Sequence, residues 1–193
     1  PAAPGPRFRA DSVSLPAVDL LSTPTCDFPM APSLTETLVR TAIARAVHNV
    51  FATMLRRDIA PRPEAATAAG SGRTFQLLAS VGFVGDANGV VYLCLQSDMS
   101  GFITREVLGL SADDPTANDP EVVRDAIGEI ANMTVGGFKN QLCDAGLPCM
   151  LTLPTIVRGN DLKVIALKGA ERHVVEFECA GHVLVADIQL KSG

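Results

Sequence analysis

The chain has 193 residues, 47% hydrophobic and 19% charged, enough for one domain with a full-sized core. Sixteen basic against 21 acidic residues leave a net charge of −5, and Arg56-Arg57 is the only adjacent basic pair, so a nucleic-acid-binding surface is excluded. No apolar run reaches the ~18 residues of a membrane span, and the five cysteines (Cys26, Cys94, Cys143, Cys149, Cys179) lack framework spacing, which predicts free thiols in a reducing compartment.

Residues 1–32 hold seven of the 13 prolines and show no periodicity. They read as a Pro/Ala-rich arm or linker, with residues 33–193 as the domain. Ser33-Leu-Thr-Glu36 has the form of a capping box and predicts a helix to about Arg57. Its core contacts are expected at Leu38, Ala42, Val47, Val50, Phe51, Met54 and Leu55. Asp58 to Gly72 reads as a loop. From Phe75 to Phe83 apolar residues alternate with others at period two, and Val90 to Leu95 is nearly all apolar, so the two predict a hairpin turning at 85–89. Ser97 or Asp98 caps a short helix that ends at Leu108-Gly109. A long helix follows, and after it the stretches 150–157, 162–167, 173–179 and 182–190 read as four strands of an antiparallel meander, with a turn at Gly159-Asn160-Asp161. Helices grouped on one side of a mainly antiparallel sheet of about six strands give an α+β, two-layer fold.

The long helix is marked at both ends. Asp119 caps it, Pro120 occupies the first turn, and Gly146 with Pro148 stops it. Asp125, Glu129 and Asn132 stand at offsets zero, four and seven, on one face, while Val123, Ile127, Ile130 and Thr134 take the opposite side. Gly136 continues the polar stripe without a side chain, leaving the backbone open to close approach. Spacing alone makes this the solvated face of an amphipathic helix.

The segment Asp125-xxx-Glu129-xx-Asn132-xxx-Gly136 nevertheless resembles the signature helix of the CheC/CheX/FliY family of chemotaxis phosphatases, and EIANMTVGG is most similar to CheX. The phrase HNVFATML at residues 48–55 resembles the opening helix of CheX. On that helix Thr41, Arg45 and His48 repeat the motif's spacing with the wrong chemistry, which resembles a single-site arrangement. The likeness covers roughly Ser33 to the C-terminus. It implies two long helices side by side across the sheet, a cytoplasmic protein, a homodimer joined through its sheets, and a phosphorylated CheY-like response regulator as partner and substrate. It implies Glu129 and Asn132 as the catalytic pair, and Asp125 and Gly136 as partner-binding positions. No metal or cofactor of the chain's own is implied, since the regulator brings Mg²⁺ and a lysine to its aspartyl phosphate. What remains is to hold a water in line with phosphorus, which an amide does well, accepting from the water while its NH₂ donates elsewhere. A carboxylate one turn earlier can pair with the regulator's lysine.

Two other readings compete. The same helix face could serve a non-catalytic module that binds a regulator or a flagellar or scaffold partner. A zinc-dependent hydrolase would draw on His173, Cys179 and His182, although the set lacks a fourth ligand and His182 lies across a turn. Cys143 and Cys149 flank a helix end without CxxC spacing, which argues against redox chemistry.

Overall fold

The computed structural model describes residues 34–63 and 73–191; the arm read at residues 1–32 and the proposed cap Ser33 lie outside them. Helix α1 (Glu36–Val50) is capped instead by Thr35, whose Oγ1 accepts from the Leu38 N–H at 3.2 Å. Glu36 does not reach back to a cap but pairs with Arg40 one turn on. The helix ends in a π turn, Phe51–Leu55, closed by Arg56 in the left-handed conformation. Of the residues expected in its core, Ala42, Val47, Val50, Phe51 and Leu55 are buried, whereas Leu38 and Met54 are half-buried; Val39, Ile43 and Ala46 complete the face.

Among the described residues seven strands form one sheet: β1 (Ala60–Pro61), β2 (Phe75–Gly85), β3 (Asn88–Leu95), β4 (Cys149–Leu151), β5 (Thr155–Leu162), β6 (Ala170–Cys179) and β7 (His182–Lys191). The spatial order is β1-β6-β7-β3-β2-β4, with β5 also on β2, and each pairing is antiparallel. Helix α2 (Ser97–Leu108) stops at Gly109, φ 64°, and α3 (Pro120–Asp144) is the long helix, with Gly146 at φ 83° beyond it. The β2–β3 hairpin, the short helix and the long helix stand where the sequence puts them, although the short helix is preceded by Gln96 and not capped by the side chain of Ser97 or Asp98, and the short strand β1 lies inside the stretch read as a loop. Its neighbourhood is held by charge: Arg62 and Arg73 both pair with the buried Glu176 of β6.

The C-terminal meander does not form. Only β6 and β7 make a hairpin. Strands β4 and β5 divide one edge of β2 between them, β4 opposite Phe83–Gly85 and β5 opposite Phe75–Ser80. Thr152, in the link between them, keeps the ladder closed: its N–H donates to the Gly82 carbonyl and its Oγ1 accepts from the Gly82 N–H, both at 2.9 Å. A Cβ at Gly82 would come within 3.2 Å of that side chain, so glycine suits the contact. The expected turn at Gly159-Asn160-Asp161 lies within β5, where Asp161 at φ 59° accompanies a register shift against β2. A bulge uses the same residue chemistry as a turn, which is why the two read alike. The expected strand at 162–167 is a crossover instead. It passes over the outer face of the sheet to reach β6, pinned by Gln189, whose Oε1 accepts from the Leu167 N–H at 2.7 Å and whose Nε2 donates to the Ile165 carbonyl at 3.2 Å. Arg172 adds a bond to the Val164 carbonyl and is itself held by the buried Asp187.

The main core lies between the helices and the inner face of the sheet. There α1 and α3 meet Leu77, Ala79, Val81 and Phe83 of β2 and alternate residues of β3, β6 and β7. Phe138 of α3 is fully buried and packs edge-on to Phe83, ring centroids 5.7 Å apart. A smaller cluster around Phe75, Cys94 and Val185, joined by Val164 of the crossover, fills part of the outer face.

Candidate functional site

Helix α3 owes its rigidity to its caps and to its buried side. Asp119 Oδ1 accepts from the Glu121 and Val122 N–H groups at 2.9 and 3.2 Å, satisfying two donors that have no partner within the helix. Val123, Ile127, Ile130, Ala131, Thr134, Val135 and Phe138 are buried. Asp125, Glu129 and Asn132 are exposed, so the polar stripe faces solvent as its spacing requires.

The three do not stand alike. Asp125 is tied to its neighbour, its Oδ1 accepting from Arg124 Nε at 3.1 Å. Glu129 and Asn132 have no side-chain hydrogen bond or ion pair among the described residues. A carboxylate and an amide one turn apart are therefore both open to a ligand from outside. Gly136, next along the stripe, is half-buried, and a Cβ placed there would meet nothing within 4 Å.

Beside this stripe runs α1. Gln141 Nε2 donates to the Ala42 carbonyl at 2.9 Å, and a Cβ at Gly137 would sit 3.3 Å from that of Ala46. Four residues forward on α1 thus match four residues back on α3: the helices are antiparallel, in close contact at Gly137. Along their contact runs a groove of about 640 Å³, lined by Arg45 and Asn49 of α1, by Thr53 of the π turn that follows it, and by Met133, Gly136 and Asn140 of α3. The sequence did not point to it. Arg45, Asn49 and Thr53 fall at the four-residue steps of one exposed helix face, but no spacing within α1 says that this face borders α3.

The possible zinc ligands do not converge. His173 and Cys179 both lie on β6, six residues or about 20 Å apart along a strand. His182 is engaged elsewhere: its Nδ1 lies 2.9 Å from Asp98 Oδ2, and its ring lies against Phe102 with centroids 5.0 Å apart. Cys94, Cys143, Cys149 and Cys179 are free thiols; burial raises the pKa of Cys94, Cys149 and Cys179, which makes each a poorer nucleophile.

Residues 77–178 match the family model described as chemotaxis phosphatase CheX. Among curated proteins the chain has no match. Several solved structures share its fold. Chemotaxis protein CheX from Vibrio vulnificus superposes with a TM-score of 0.69 at 19% identity, over 82% of this chain and 100% of that one. CheX in a CheX–CheY–BeF₃–Mg²⁺ complex from Borrelia burgdorferi gives 0.61 at 20% identity, over 80% and 98%. FliY from Thermotoga maritima gives 0.57 at 18%, over 83% and 92%.

Proposed function

The chain belongs to the CheX family of chemotaxis phosphatases, and from that premise we propose that it hydrolyses the aspartyl phosphate of a CheY-like response regulator, Asn132 orienting the water and Glu129 holding the regulator's lysine. The observation that carries this reading is the state of those two side chains. They stand one turn apart on a capped, well-packed helix, exposed and without a partner among the described residues.

The chemistry asked of the chain is placement. Phosphoryl transfer leaves little covalent work to the phosphatase, because the regulator supplies Mg²⁺ and lysine to the developing charge. An amide carbonyl accepting from water fixes the in-line direction of attack. Holding reactants in that geometry removes a barrier of several kcal/mol. The related Borrelia burgdorferi structure is a CheX–CheY–BeF₃–Mg²⁺ complex, and a regulator of that type is the partner proposed here. Asp125, already paired with Arg124, takes a lesser part at the edge of the contact.

The test is the decay of a phosphorylated CheY-like regulator from the same cell, with and without the chain. Asn132→Ala should lower the stimulated rate by about 10²-fold or more while leaving the thermal midpoint unchanged or slightly raised, since alanine favours an exposed helical position. Full activity in that variant would remove Asn132 from the mechanism. Saturable binding without faster decay would favour the non-catalytic module.

We also propose a homodimer joined through the outer face of the sheet, because that face is incompletely covered. Val84 of β2 and its partner Met150 of β4 project from it, as does Val157 of β5 opposite Leu78, and Met150 is 77% exposed. Ile165 and Leu167 of the crossover add to the same apolar side.

A further inference from the structure

The groove between α1 and α3 differs in chemistry from the Glu129 end of the same surface. Its floor is apolar, made of Ala46, Val50, Met133 and Gly137, and Arg45, Asn49 and Asn140 border it. It begins beside Asn132, at Met133, and Gly136 lies about 6 Å further along the helix axis. A partner of ordinary size covers about 800 Å² on each side, a disc of roughly 16 Å radius. Any protein seated squarely on Asn132 therefore covers the groove as well.

Asp119, Glu121, Asp125 and Glu129 crowd the first turns of α3, whereas from residue 130 to 143 Lys139 is the only charged side chain. On α1 no carboxylate occurs from 37 to 57. Arg57 is paired with Glu106 by two bonds of 3.0 Å, but Arg45 has no ion-pair partner among the described residues. Glu129 and Arg45 are thus a carboxylate and a guanidinium both left open on this surface, although Arg124 also stands among the carboxylates of α3. In the register set by Gln141 and Gly137, Arg45 is level with Phe138, about 14 Å along the axis from Glu129 at 1.5 Å per residue.

We propose that this groove receives an amphipathic helix of the response regulator, an apolar side chain settling on Met133 and Val50 and a carboxylate meeting Arg45. The proposal rests on the reading that such a regulator is the partner. Met133 is an unbranched side chain that adapts to the shape placed on it, and a guanidinium can take a carboxylate through two parallel bonds. The paired charges at opposite ends also fix the direction in which the partner lies. Its lysine meets Glu129 only when its carboxylate meets Arg45, so the groove selects among regulators that share the same phosphorylation site.

Steady-state dephosphorylation of a CheY-like regulator from the same cell, alongside anisotropy binding of its beryllofluoride form, tests this. Arg45→Glu is expected to raise KM and Kd at least about five-fold with kcat nearly unchanged, and Arg45→Lys, which keeps the charge but not the two parallel bonds, to fall between it and wild type. Asn49→Trp, which fills the groove from its exposed rim, should act in the same direction; thermal midpoints check that both variants are folded. Asn132→Ala should show the reverse split, losing kcat and keeping Kd. If Arg45→Glu and Asn49→Trp leave KM and Kd where they were, the groove is not a docking site, even with Asn132→Ala inactive. A loss confined to kcat overturns it equally. If the unaltered chain neither turns over nor binds the regulator, the functional reading itself fails and takes the groove proposal with it.

Discussion

Gly136 illustrates how a single position can be separated from the fold around it. Glycine within a helix costs about 1 kcal/mol relative to alanine, yet nothing in the chain occupies the space its side chain would take. Gly136→Ala is therefore expected to raise stability by about 1 kcal/mol in a urea titration. Gly136→Leu should also fold, but it should weaken regulator binding if the stripe is a contact surface; unchanged affinity would remove Gly136 from that surface. Asp98 offers a test by pH. Its hydrogen bond with His182 is the main cause that holds its carboxyl below the usual range. A depressed carboxyl stabilises the fold above its unfolded value, about 3.9, and loses that contribution as the pH falls through the lower folded value. Asp98→Asn should thus lower the thermal midpoint at pH 7 and flatten its fall below about pH 4; an unchanged acid limb would mean the pair contributes nothing.

Among the elements, those with their signals in adjacent residues were legible. The period-two pattern of β2, the glycine after α2, and the caps of α3 each lie within a few positions of what they specify. The polar face of α3, and with it Glu129 and Asn132, was legible for the same reason. The strand order after α3 was not. Whether β5 turns back on β4 or continues along β2 depends on partners some 80 residues away. The sequence did carry one clue: Asp187 and Gln189 alternate with apolar residues on β7 as exposed residues would, but both are buried under the crossover. Gln189 holds that crossover by its two bonds to Leu167 and Ile165. Gln189→Leu leaves both backbone groups to find water and should cost about 1–2 kcal/mol, seen as a lower urea midpoint with the slope retained. An unchanged midpoint would show that the crossover is held by Val164 and its apolar neighbours alone.

For the molecule as a whole, the two faces of the sheet have different tasks. The inner face is sealed by α1 and α3, whose outer surfaces carry the candidate site, while the outer face keeps apolar residues in water. Light scattering at working concentration should give a dimer mass. Val84→Lys combined with Met150→Lys should give a monomer with its fold intact, since both side chains are already exposed. A monomer in the unaltered chain would contradict the proposed pairing. The edge of β2 has a further consequence, which concerns how the chain is made. Strand β2 has no charged residue in eleven, and the strands that cover its edge come late, 77 residues separating Gly85 from Leu162. At ribosomal speeds of about 5–20 residues per second, that edge waits roughly 4–15 s for its partners. During synthesis the nascent chain thus carries an uncharged, unpaired strand edge, and the yield of soluble protein should respond to chaperone supply more strongly than the stability of the finished fold would suggest.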